Sequence, residues 1–270
     1  MSKERHAYLI RLQYLGFRYS GWQIQPEHLT VEGMLTKTLK YVLPEGTDFK
    51  ILGAGRTDAK VSALNAAFEL LIHRPIDDFE DLLAILNTNL PPDIRILSIK
   101  PSSDKFNIIK DAKNKQYVYL FSFGGKNHPF CAPFLASIQE NLDLGLMKKA
   151  ARIFEGTHDF ANYTVKEKRN SNTIRTISSC RLGENELLTA SFFPKRSYLL
   201  TVEGPGFLRY QIRMIMGALI QLGRGGLSLQ DIKVSLQEGT VFPLSYIAPG
   251  SGLLLNHLDF GPAGDGFLEK

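Results

Sequence analysis

Cysteine is nearly absent from this chain of 270 residues, which has only Cys131 and Cys180. Two cysteines so far apart suit neither a C-x-x-C metal site nor a disulfide framework, and both read as buried thiols of a reducing compartment. The six histidines are scattered without metal-ligand spacing, so no metal is assigned, and His158 in "GTHDFANY" reads as structural. No window approaches the roughly 18 apolar residues of a membrane span. The opening "MSKERHAYLIRLQYLG" is charged and then alternating rather than continuously apolar, which gives the expectation of a soluble, cytoplasmic protein. Nucleotide-binding loops are missing as well. The Walker pattern does not occur, and the G-x-G-x-x-G fingerprint fails at Asp58, where a carboxylate would repel a pyrophosphate. There is no Ser/His/Asp arrangement to defend. The lack of long polar tracts argues against wholesale disorder.

What is present is a 44% hydrophobic chain, enough for one large core or two smaller ones. Lys plus Arg exceed Asp plus Glu by 32 − 27 = 5, an excess that permits a polyanionic partner without requiring one. "AYLIRLQYLG" (Ala7 to Gly16) partly alternates and reads as a strand; "FRYSGWQIQPEH" breaks it into a loop. Thr30 caps a helix through Leu43, Phe49 to Leu52 and Ala63 to Ile72 are strands, Asp77 or Asp78 caps a helix from Phe79 to about Asn89, and Ile94 to Ile99 is a strand. The order β-α-β-β-α-β is a split βαβ, ferredoxin-like pattern.

The second half offers a strand in "KQYVYLFSF" and a helix from about Leu142 to Phe154. Strands follow at Thr176 to Leu182, Leu187 to Phe193 and "RSYLLTVEG", then an apolar helix "FLRYQIRMIMGALIQLG" and a short amphipathic helix "SLQDIKVSLQ". The polar stretch "KPSSDK" (Lys100 to Lys105) marks the expected boundary, giving domains over 1–104 and 105–270.

"GAGRTDAK" (Gly53 to Lys60) raises the question of chemistry. It reads either as a polar turn, with Asp58 bonding nearby amides, or as glycines letting the backbone approach a ligand while Arg56 and Asp58 project into one site. Arg213, on an otherwise apolar helix, needs a carboxylate partner if buried; snorkelling to water is the plainer alternative. Lys115, Tyr117 and Tyr119 share one strand face, suited either to stacking a base and holding a phosphate or to packing in a core. The only tryptophan, in "GWQIQ", suits a base or the neighbouring loop equally. Lys166, Lys168 and Arg169 read as solvated surface or phosphate contacts.

Taken in order, "GWQIQ" with "TVEGMLTKTL", "GAGRTDA", "NLPPDI", "KFNIIKDAKNKQYVY", "FEGTHDFANY", "RTI", "FLRYQIRMIMGALIQLG" and "APGSGLLLNHLDF" resemble the tRNA pseudouridine synthase A family nearly end to end. The resemblance implies an α+β fold of two ferredoxin-like (RRM-like) subdomains, mostly antiparallel sheets around a central active-site cleft. It also implies a cofactor-free isomerisation of uridine to pseudouridine. Asp58 would be the nucleophile, Arg56 would help displace the uridine, Tyr117 would pack against its base and Arg213 would pair with Asp58. Thr57, Lys60, Gln23 and Lys115 are candidate substrate contacts. The implied partners are the anticodon stem-loop of tRNA and a second copy of the chain. The chain departs from the family pattern at Lys60 (usually glycine), Ser62 (histidine), Asn107 and Ile109 (histidine and arginine) and Tyr210 (histidine). These departures leave open an alternative: a catalytically weak or inactive paralogue that binds or folds tRNA.

Overall fold

Alternation in "HAYLIRLQY" produces strand β1 (His6–Tyr14), whose Ile10, Leu12 and Tyr14 are buried on one face while Leu9 is buried on the other. β1 pairs antiparallel with a strand on each side, which places it inside its sheet. The computed structural model describes residues 5–103, 105–165, 172–244 and 246–261. The chain divides into two compact units, Met1–Asn114 with Leu255–Lys270, and Lys115–Leu254.

In the first unit β1 is followed by α1 (Val31–Val42), β2 (Phe49–Gly53), β3 (Ser62–Ile72), α2 (Phe79–Asn89) and β4 (Ile94–Pro101). This is the β-α-β-β-α-β order read from the sequence. The sheet runs β4-β1-β3, with β2 pairing antiparallel to Phe68–Ile72 of β3. Both helices start where a side chain replaces a missing backbone partner: Thr30 accepts from the Gly33 N–H and Asp78 from the Asp81 N–H. Leu9 and Ala67 pack with Phe106, Ile108, Leu258 and Phe260. That cluster explains why this unit continues past the polar stretch Lys100–Lys105 to Asn114 and takes back the chain from Leu255. Apolar side chains on both segments bury against its sheet, whereas the sequence reading weighed only the polar linker.

In the second unit β5 (Asn114–Phe123) leads to a short β6 (Ala136–Ile138) parallel to it, then α3 (Leu144–Ala151), which ends in a 3-10 turn at Arg152–Phe154. A hairpin of β7 (Gly156–Asp159) and β8 (Ile174–Ile177) follows, then β9 (Ser179–Glu184), β10 (Tyr198–Gly204), α4 (Gln211–Gly223) and α5 (Leu229–Ser235). β10 lies antiparallel between β5 and β9. The last strand, β11 (Leu253–Asp259), runs next to β3 in the first unit from Leu255 onward. With its mostly antiparallel sheets and few helices, the fold is α+β, as read from the sequence.

Three expected elements differ. Thr176 to Leu182, read as one strand, is the end of β8 and the start of β9, which pair with β7 and β10 respectively. Leu187 to Phe193 is not a strand, because Asn185 folds the segment onto itself, accepting from the Leu187 and Leu188 amides and donating to the Leu188 carbonyl. The apolar helix starts at Gln211 rather than Phe207, because Tyr210 is left-handed at φ 64° and the Gln211 side chain caps the Leu208 N–H. Lys166, Lys168 and Arg169 lie outside the described residues. Among the described residues no helix is long and apolar enough to cross a membrane.

α4 is buried along most of its length, and the segment Tyr246–Ala248 crosses it closely. A Cβ on Gly217 would stand 2.0 Å from the Tyr246 carbonyl oxygen. Alanine is the better helix former by about 1 kcal/mol, yet here backbone meets backbone and cannot yield cheaply. Gly217→Ala is therefore expected to destabilise the protein by at least about 2 kcal/mol, read as a lower denaturation midpoint at unchanged m-value.

Candidate active site

The loop between β2 and β3 is built on glycines of a second loop, Leu15–Thr30. Gly53 ends β2 directly against the Trp22 indole: a Cβ there would stand 2.5 Å from Trp22 Nε1. Trp22 is only 3% exposed and packs against Tyr14 and Phe68, with ring centroids at 6.2 and 6.4 Å. The tryptophan is thus a wedge beneath the loop, which resolves the two readings of "GWQIQ" in favour of the neighbouring loop. Gln23, one residue on, is exposed.

Hydrogen bonds then fix the loop backbone at successive points. Ala54 N–H donates to the Ala67 carbonyl at 3.0 Å, and Trp22 N–H to the Thr57 carbonyl at 3.1 Å. The Tyr14 hydroxyl lies 2.9 Å from Thr57 Oγ1. Val61 N–H closes a turn onto the Asp58 carbonyl at 3.2 Å, and Lys60 N–H donates to the Tyr19 carbonyl at 3.0 Å. Two glycines make this approach possible. A Cβ on Gly21, at φ 109°, would lie 2.6 Å from Thr57 O, and one on Gly16 would lie 1.9 Å from Val61 O. From this clamped backbone Arg56 projects into solvent and makes no hydrogen bond or ion pair with the described residues, while Asp58 is half-buried. Thr57 is therefore a scaffold residue through its carbonyl and hydroxyl, a role its sequence context did not mark.

The candidates of the second unit lie on β5 and α4. Tyr119 is fully buried and donates to the Pro249 carbonyl at 2.8 Å; burial pushes its pKa well up. It is a core residue. Tyr117 on the same face is half-buried, with Phe207 edge-on at 5.5 Å and 87°. Lys115, also half-buried, has its pKa lowered by desolvation. Arg213 does not simply snorkel. Its Nε donates to the Ala248 carbonyl at 2.8 Å, its own carbonyl accepts from Ala248 N–H at 3.1 Å, and its guanidinium sits 5.0 Å from the Tyr210 ring centroid. Ala248 carried no signal in the sequence, since a carbonyl partner has no residue signature.

The departures from the family pattern take up structural work. Ser62 accepts from the Gly16 N–H at 2.9 Å in a buried setting. Asn107 caps a turn by accepting from the Ile109 and Lys110 amides, while Ile109 is 64% exposed. Tyr210 carries the left-handed residue before α4. Lys60 also has a positive φ of 66°, and its Nζ lies 5.6 Å from the Phe17 ring centroid. A left-handed non-glycine costs about 1–2 kcal/mol, partly offset because glycine is freer when unfolded. Lys60→Gly is accordingly expected to stabilise the fold by about 0.5–1 kcal/mol, measurable as a rise in melting temperature.

A family model described as tRNA pseudouridine synthase matches residues 150–260. Relatives resemble more than nine-tenths of the chain. The tRNA pseudouridine synthase A of Dictyoglomus thermophilum is 31% identical over 93% of this chain and 98% of its own length. That of Aquifex aeolicus is 31% identical over 92% and 97%. The tRNA pseudouridine synthase A 2 of Desulfotalea psychrophila is 33% identical over 94% and 98%. Identity at this level over more than nine-tenths of the chain means that the chain belongs to the tRNA pseudouridine synthase A family.

Proposed function

We propose that this pseudouridine synthase isomerises uridines in the anticodon stem-loop of tRNA, with Asp58 as the nucleophile. One observation carries the reading: the Asp58 loop is held by backbone hydrogen bonds at Thr57, Asp58 and Lys60, so the carboxylate is presented on a fixed frame rather than a mobile turn. Preorganisation of that kind is what a reaction without a cofactor needs, since positioning must do much of the work. In the reaction the N1–C1′ bond breaks, the freed uracil turns, and a C5–C1′ bond forms. The C5 proton leaves to solvent and N1 takes one up, so the product is an isomer.

Arg56, exposed two residues from Asp58, suits a cation that enters the stem and helps extrude the uridine, as any enzyme acting on a stacked base must. Tyr117 is assigned to pack against the base and Arg213 to hold charge at the site, following the family pattern. Gln23, Lys60 and Lys115 are assigned to the RNA. By the same likeness the enzyme works as a cytoplasmic homodimer, which sedimentation as a monomer at working concentration would contradict.

The inactive-paralogue alternative draws on the departures, but Ser62, Asn107 and Tyr210 each make contacts that order the chain, and none removes Asp58 or Arg56. Incubation with cellular RNA carrying tritium at uridine C5 tests the reading, because isomerisation must expel that label. Release by the wild type and its loss, by at least about a thousandfold, in Asp58→Ala are expected, the order set by removal of a nucleophile. No release from any RNA, or equal release by the variant, would overturn it.

A further inference from the structure

The clamp on the Asp58 loop is itself held from outside, by a residue in the turn between α2 and β4. Asp93 follows Pro91 and Pro92, is only 16% exposed at its side chain, and gathers donors from the Leu15–Thr30 loop. Arg18 approaches in bidentate fashion, with Nε on Oδ2 and Nη2 on Oδ1 at 2.9 Å. The Tyr19 hydroxyl donates to Oδ1 at 2.8 Å, and Leu15 N–H donates to the Asp93 carbonyl at 2.9 Å. Arg18 Nη2 also donates to the Tyr19 hydroxyl at 3.0 Å, closing a triangle of three side chains.

Tyr19 joins this triangle to the site. Its side chain is 2% exposed, its hydroxyl is bound to Asp93, and its carbonyl accepts the Lys60 N–H of the turn that begins at Asp58. A rotation of Tyr19 would move the acceptor on which that turn hangs. Charge-assisted bidentate bonds are about twice as strong as neutral ones and fix orientation as well as distance, so the Asp93–Arg18 pair sets where Tyr19 stands. Burial works to raise the Asp93 pKa, but the hydrogen bonds from Arg18 and Tyr19 outweigh it and lower it, so the carboxylate is charged at neutral pH.

We infer that Asp93, acting through Tyr19 with Arg18 as its partner, is a positioning residue for the loop carrying Asp58. The inference rests on the assignment of Asp58 as nucleophile, so it is read in two ways, one of which needs no catalysis. The first is limited trypsin digestion with cleavage sites mapped by mass spectrometry, below the melting transition. Arg56 and Lys60 are cleavage sites on the loop itself, and Lys37 and Lys40 on α1 report the rest of the unit. In Asp93→Ala, cleavage after Arg56 and Lys60 is expected to accelerate about tenfold, with cleavage after Lys37 and Lys40 unchanged. Tyr19→Phe, which keeps the ring in place and removes one hydroxyl, is expected to show a smaller change of the same pattern.

The second reading is tritium release. Asp93→Ala is expected to lower kcat about tenfold with KM for RNA within twofold, and Asp93→Asn, which restores acceptor oxygen without charge, to recover part of it. If cleavage rises in parallel at all four sites, or only melting temperature falls while kcat per folded molecule is kept, Asp93 is merely structural and the inference fails. If the wild type releases no tritium but the loop-specific cleavage appears, the nucleophile assignment fails while the positioning contact stands.

Discussion

The hydrogen bond from Lys60 N–H to the Tyr19 carbonyl, with its neighbour from Trp22 N–H to the Thr57 carbonyl, is the constraint on which the presentation of Asp58 depends. A strand-to-strand loop has no ladder of its own, and left alone it would find its partners in water. Here a second loop supplies backbone partners in place of water. Two backbones can meet this closely only where side chains are absent, and Gly16 and Gly21 are the residues that leave the room. Beneath the contact lies the Trp22 indole, against Gly53 from below and Tyr14 and Phe68 from the side. The loop is thus clamped by hydrogen bonds to its neighbour and supported by an aromatic wedge.

In the second unit the same logic operates on Arg213. Its guanidinium could take many rotamers on a free helix surface. The Ala248 carbonyl on Nε and the Tyr210 ring restrict it, and the Ala248 segment is itself seated by the Tyr119 hydroxyl on Pro249 and by the missing side chain of Gly217. Tyr210 must be left-handed to stand where it does, a strain of order 1–3 kcal/mol that persists only where the surroundings enforce it. Strain of this sort, at Lys60 and at Tyr210, falls in both units next to a residue assigned to the chemistry. Lys60 and Tyr210 are also two of the positions at which the sequence departs from the pattern it resembles, and there the departure bears on how the local backbone is held.

Much of this was legible from the sequence, for identifiable reasons. β1, α1 and α2 announced themselves because alternation, helical periodicity and cap residues are local properties of the chain; Thr30 caps as expected, and of the two candidates Asp77 and Asp78 it is Asp78 that caps. Asp58, Arg56 and Arg213 stood out because charged residues beside glycines or in an apolar helix are conspicuous. What stayed hidden was relational. Nothing in "LPPD" says that its aspartate gathers Arg18 and Tyr19 from a loop more than seventy residues earlier, and nothing in "GWQIQ" separates a tryptophan that binds a base from one that supports a loop. The strand expected at Leu187 to Phe193 failed for a related reason: its composition favours a strand, but the side-chain bonds of Asn185 compete locally and win.

The hidden relations bear on how such a site keeps its geometry while its surface changes. The clamp uses mostly main-chain donors and acceptors, which any residue supplies, so the exposed positions Arg56 and Lys60 can vary without loosening the frame. The positions that cannot vary freely are small or buried: Gly16, Gly21 and Gly53 by steric exclusion, Trp22 and Tyr19 by their fit. Lysine is tolerable at position 60 in that scheme because the hydrogen bond it must keep is made by its amide and not by its side chain. The side chain is then left to lie over Phe17, where it adds a cation beside Asp58 without altering the loop's path. Loop geometry and surface charge are in this way carried by different atoms of the same residue.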